Sequence, residues 1–109
     1  MAYDEGLEVR IEEALAGREV TKKQMFGGLC FLDRGNMLCG IVKDGRLMLR
    51  VGKEAYESVL ARPQVVKMDF TGKPMTGLVY IEPAGFEEDR DLKAWLELGL
   101  AFTGSLPDK

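Results

Sequence analysis

The chain has 109 residues, 46% apolar and 30% charged, with 15 Lys and Arg against 18 Asp and Glu and no histidine. This length suits one domain over residues 1–109 with its own core, and apolar residues spread along the whole chain exclude a disordered polymer. The lack of an apolar run near eighteen residues excludes a membrane-spanning helix, and the net charge of −3 works against direct nucleic-acid binding, which draws much of its affinity from neutralising phosphate.

No apolar stretch follows the acidic start Met1-Ala2-Tyr3-Asp4-Glu5, so no export signal is read. The expected compartment is the cytoplasm, with Cys30 and Cys39 as reduced thiols. Asp4 is placed to cap a first helix, because its carboxylate can accept from the free first-turn amides. Leu7, Ile11, Ala14 and Leu15 then share one helical face, and Gly17 is the expected end.

Over residues 23–51 the apolar period becomes two. Met25, Gly27, Leu29 and Phe31 alternate with Phe26, Gly28, Cys30 and Leu32 in a first strand, closed by the turn cluster Asp33-Arg34-Gly35-Asn36. Residues 37–42 form a second strand. Lys43-Asp44-Gly45-Arg46 carries the Asp-Gly signal of a tight hairpin, and residues 46–51 form a third strand with Leu47, Leu49 and Val51 on one face. A second helix is predicted over 52–62, stopped by Pro63, then strands over 65–70 and 76–82 around Thr71-Gly72-Lys73-Pro74. The last helix is predicted over 89–102, where Glu87, Glu88, Asp89 and Asp91 suit the positive end of its dipole. The predicted order is αβββαββα, a two-layer α+β fold with an antiparallel sheet and its helices packed on one face.

Hairpin tips at Arg34-Gly35 and Asp44-Gly45 would pair Cys30 with Cys39, Phe31 with Leu38 and Val42 with Leu47. One face then collects Met25, Leu29, Phe31, Leu38, Val42, Leu47, Leu49 and Val51, the natural side for the helices. The other collects Phe26, Cys30, Leu32, Met37, Cys39, Ile41 and Met48. An open antiparallel sheet usually turns polar residues to water, so this second apolar face is read as a binding surface for a protein partner or a second copy of the chain. The competing reading is that the molecule covers the face itself, or that the register slips by one.

Without histidine the common general base, the Ser-His-Asp and Cys-His arrangements and the usual zinc ligand are missing. Two cysteines are too few for a tetrahedral zinc site, so no metal, cofactor or catalytic residue is expected. Buried thiols are the favoured reading of Cys30 and Cys39, with a cross-strand redox pair as the alternative. Gly27-Gly28 lacks the phosphate-loop pattern and reads as a bulge or a close backbone approach. Thr21, Lys22, Lys23, Arg46 and Arg50 are the residues that would touch phosphate if any did. A small-molecule pocket between sheet and helices is the alternative to a partner surface, with Met25, Phe26, Arg50 and Lys73 as its candidate lining.

Lys23-Gln24-Met25-Phe26-Gly27-Gly28, Gly35-Asn36-Met37-Leu38-Cys39-Gly40, Leu49-Arg50-Val51-Gly52, Met68-Asp69-Phe70-Thr71-Gly72-Lys73-Pro74-Met75, Ala94-Trp95-Leu96 and Ser105-Leu106-Pro107 follow one another in a set. Together they resemble the N-terminal domain of the TfoX/Sxy competence regulators over nearly the whole chain. The resemblance implies an αβββαββα fold similar to type III secretion chaperones, a stand-alone N-terminal domain, and a regulatory link to DNA-uptake competence. It implies no catalytic residues. The expected function is a non-enzymatic regulatory or protein-interaction module, with a homodimer through the sheet as one form of it.

Overall fold

In the computed structural model, residues 4–25, 27–69 and 74–108 are described. Helix α1 spans Glu5–Ala14, and the Asp4 carboxylate accepts from the amides of Gly6 at 2.9 Å and Leu7 at 3.2 Å. It buries Leu7, Ile11 and Leu15. The helix closes at Leu15, two residues before Gly17, which turns the chain with φ of 87°.

The strands are β1 (Val20–Met25), β2 (Gly28–Asp33), β3 (Asn36–Ile41), β4 (Leu47–Arg50), β5 (Val65–Asp69) and β6 (Pro74–Ile81). Helix α2 (Gly52–Leu60) lies between β4 and β5, and a 3-10 turn (Pro83–Gly85) leads into helix α3 (Asp89–Thr103). The fold is the expected α+β arrangement, an antiparallel sheet with helices packed against it. The order of strands across the sheet is β1-β2-β3-β4-β6-β5.

Among the described residues the sheet has six strands where five were expected, because the segment read as one strand reverses between Met25 and Gly28. Met25 pairs with Gly28, and Gly27 takes φ of 74° in the turn. Gly28 is there for a close approach, since a Cβ on it would overlap the carbonyl oxygen of Ile41. A two-residue hairpin also inverts the alternation, because paired residues share a face while their numbers differ in parity. Met25 therefore falls on the side opposite Leu29, not beside it as expected.

Two one-residue shifts correct the rest of the predicted register. The first hairpin tip is where it was expected, with Asp33 opposite Asn36 and Leu32 opposite Met37. The pairing then slips between Phe31 and Leu32, so Phe31 meets Cys39, Cys30 meets Gly40 and Leu29 meets Ile41. Leu38 is the extra residue of this bulge. In the next hairpin Ile41, not Val42, pairs with Leu47, because Val42 and Arg46 close a three-residue loop through Val42 N–H donating to Arg46 O at 3.1 Å. Gly45 ends that loop with φ of 91°.

All three helices bury their apolar stripes against one side of the sheet. Ile11 of α1, Tyr56 and Val59 of α2, and Leu92, Trp95 and Leu96 of α3 pack in one cluster with Phe31, Leu38, Cys39, Ile41, Leu47 and Leu49. A second cluster on the other side joins Cys30, Val42, Met48, Met68 and Leu78, flanked by Met25, Met37, Met75 and Tyr80. Polar ties fix the helices. Arg10 of α1 donates to the carbonyls of Phe86 and Glu87 and pairs with Asp89 at 2.8 Å, while the Trp95 indole N–H donates to Gly85 O at 2.9 Å. No helix of the described residues is long and apolar enough to cross a membrane.

Gly28→Ala should lower stability by about 1–3 kcal/mol, the usual cost of forcing an atom into packed space. Urea unfolding monitored by the fluorescence of Trp95 measures it, and an unchanged midpoint would contradict the close approach.

Candidate functional site

A groove of about 1140 Å³ opens where the ends of β1, β2 and β3 face the start of α2 and the end of α3. Strands β1 to β3 supply Lys23, Met25, Leu32 and Met37, Arg50 ends β4, and Val51 links β4 to α2. The first turn of α2, Gly52–Ala55 by position, forms one wall together with Thr76, Gly77 and Leu78 of β6. Leu98, Ala101 and Phe102 of α3, with Ser105 beyond it, complete the rim.

Local sequence explains why these pieces meet. Val51 N–H donates to Gly77 O at 2.8 Å, which joins the end of β4 to β6 just as the chain turns into α2. Gly52 makes that turn with φ of 84° against the face of Phe102, where any Cβ would strike the ring. No side chain caps the first turn of α2. The end of α3 is tied to the β2–β3 hairpin by a polar strap. Arg34, with φ of 51°, donates to Thr103 O at 2.7 Å and Leu106 O at 3.2 Å and pairs with Asp108 at 2.7 Å. The Asn36 amide donates to Pro107 O at 2.9 Å, and the buried Thr103 hydroxyl donates to Asp33 at 2.8 Å.

The charge of the groove is opposite in sign to that of the chain. Among the described residues Lys23, Arg50 and Lys53 line it against one carboxylate, Glu54. Arg50 is half-buried, stacks over the Phe102 ring with 5.1 Å to its centroid, and makes one long 3.5 Å donation to Met37 O. It has no ion pair among the described residues. The other two arginines that flank the hairpins differ in this. Arg46 is held by Asp44 at 2.8 Å and stacks on Tyr80, and Arg34 is held in the strap. Lys22 bridges Glu8 and Glu12 of α1 at 2.8 and 2.6 Å, which raises its pKa above the ordinary lysine value through those two hydrogen bonds. Of the basic residues that would touch phosphate, Lys22 and Arg46 are thus held by carboxylates elsewhere, and Lys23 and Arg50 line the groove.

The sequence-predicted residues fall in four places. Leu32 and Met37 line the groove, as do Met25 and Arg50, so two of the seven partner-surface candidates and two of the four pocket candidates converge there. Cys30 and Met48 do face the side away from the helices, but each is 1% exposed and sealed in the second cluster. Cys39 and Ile41 were expected on that side and lie instead in the helix-packed core, because the bulge at Leu38 moves both across the sheet. Phe26 and Lys73 lie outside the described residues. The helix wall was missed. Leu98, Ala101 and Phe102 stand at i, i+3 and i+4, a second apolar stripe beside the core stripe of α3, and that spacing was the available signal.

Cys30 and Cys39 point to opposite sides of the sheet and both are free and buried. Burial pushes the Cys30 thiol up to about 11 and the Cys39 thiol higher still. Among the described residues no three Cys, Asp or Glu side chains gather as a metal-ligand set would.

Comparison with known families places this architecture. The profile of the TfoX N-terminal domain matches residues 13–103. The chain belongs to the TfoX N-terminal domain family. No curated protein and no solved structure matches it. The matched span of this TfoX N-terminal domain contains every groove-lining residue except Ser105.

Three outcomes are expected. Both thiols should resist a disulfide reagent at pH 8 until the chain unfolds, and rapid labelling of the native protein would refute their burial. Because the folded thiols are raised above their unfolded value, their contribution to stability is present below pH 9 and is lost as pH rises toward 11. Thr103→Val should cost about 1–3 kcal/mol by removing the 2.8 Å hydroxyl donor from the buried Asp33 carboxylate, which keeps the longer 3.5 Å contact with Arg34, read as a lower urea midpoint.

Proposed function

We propose that this TfoX N-terminal domain is a non-enzymatic regulatory module that acts by holding a partner segment in the groove. The observation that carries this reading is the groove's lining: Met25, Leu32, Met37, Leu98 and Phe102 stay half-buried around one opening instead of joining either packed cluster's interior. Contiguous apolar surface of this kind marks interaction sites. Its methionines adapt to varied partners because an unbranched thioether repacks at little cost. Family membership supports a regulatory setting linked to DNA-uptake competence.

The partner surface is therefore narrower than the sheet face read from the sequence. It keeps Leu32 and Met37 of that set and adds the start of α2 and the end of α3. A second copy of the chain is one candidate partner, and a cytoplasmic protein is the other. A small anionic metabolite is the second functional reading, favoured by Arg50 at the end of β4, which has no ion pair among the described residues.

A photo-crosslinking amino acid at Ala101, an exposed groove position, should give a discrete adduct in cells of the native host. The same group at Val9, which is 52% exposed on α1, should not. An adduct of twice the chain mass identifies self-association. No adduct from position 101, or the same adduct from both positions, counts against the groove.

A further inference from the structure

We propose that the groove selects an acidic, extended peptide, with an Asp or Glu side chain seated on Arg50 and an apolar neighbour against Met25 and Met37. This rests on the reading that the groove holds a partner, and it names the chemistry of that partner.

Charge complementarity is the first support. A chain with net charge −3 gathers Lys23, Arg50 and Lys53 around one opening, against a single carboxylate among the described residues. Potentials of this sort choose partners and set register more than they add bulk affinity. Arg50 is the second. A guanidinium has five N–H donors in a planar fork, and here one of them makes a long 3.5 Å bond while Phe102 covers one face of the plane. The fork stays half-buried, with donors free to meet a carboxylate in a charge-assisted pair. Arg10, Arg34 and Arg46 each hold a carboxylate within 2.8 Å, whereas Arg50 holds none among the described residues.

Size and shape argue for a peptide over a small molecule. About 1140 Å³ exceeds the range of roughly 300–1,000 Å³ that ordinary small-ligand pockets occupy. The lining is mixed in kind, with Lys23, Met25, Leu32, Met37 and Arg50 from the strands and Lys53 from the first turn of α2. The Arg50 guanidinium lies beside Met37, and an extended segment, at about 3.3 Å per residue, can set an acid on Arg50 and a nearby apolar side chain on the methionines.

The test is selection of a displayed random decapeptide library on the wild-type protein, followed by affinity measurement on variants. Enriched peptides should carry Asp or Glu beside Leu, Met or Phe. They should bind Arg50→Met about tenfold or more weakly, the loss expected for one charge-assisted pair, while its melting curve stays that of wild type. If Arg50→Met does not fold, Lys23→Glu combined with Lys53→Glu, both at exposed positions, should produce the same loss.

No enrichment, enrichment of neutral or basic peptides, or equal affinity for the charge variants overturns the proposal. Neutral peptides that Ala101→Glu displaces would leave the groove as a partner site while removing its acidic preference. Peptides indifferent to Ala101→Glu would remove the groove reading as well. A dimer in sedimentation that Ala101→Glu splits would assign the groove to a second copy and overturn the peptide.

Discussion

Alternation along a strand ties each side chain to a face, so one extra residue moves everything beyond it to the other side. In this domain that residue is Leu38. The bulge it makes against β2 sends Leu38 and Cys39 together toward the helices, sets Gly40 opposite Cys30 and Met48, and carries Ile41 into the main core. Gly40 suits its new place, since Met48's methyl and the Cys30 sulfur occupy the space where its side chain would be. Without the bulge a glycine would face the helices, and Cys39 and Ile41 would crowd the methionines. The helix-side core and the second cluster both depend on this shift.

The same shift separates the cysteines. A direct pairing would have set them side by side, within reach of a strained cross-strand disulfide. One residue of slip puts one thiol in each cluster, where burial raises both pKa values and suppresses thiolate chemistry. Their chemistry is that of small apolar side chains.

The groove depends on a different set of forces. Its rim is assembled from the tail strap, where Arg34, Asn36 and Asp33 of the β2–β3 hairpin hold residues 103–108. These bonds are partly or wholly buried, so they hold better than surface ion pairs such as Lys22 with Glu8 and Glu12, which water and salt weaken. The strap keeps Phe102 over Arg50 and against Gly52. In this way polar bonds at the chain's end set the position of an apolar wall and a guanidinium in the middle of the fold.

The local features of this protein were legible in its sequence. Asp4 caps α1, Pro63 follows the end of α2, the tip at Arg34-Gly35 is where its turn chemistry puts it, and the alternation of Leu47, Met48 and Leu49 assigns β4's two sides correctly. Such features follow from dihedral preferences and from hydrogen bonds between near neighbours in the chain. Met25, Cys39, Val42 and Ile41 were assigned to the wrong side because a two-residue reversal, a bulge and a three-residue loop each change parity. Which of these occurs is decided by packing across strands, where Gly28 meets Ile41 and Leu38 meets α3. The groove needed the tertiary structure for the same reason: its walls come from residues 23 to 105, and only the folded sheet brings Arg50, Met37 and Phe102 together.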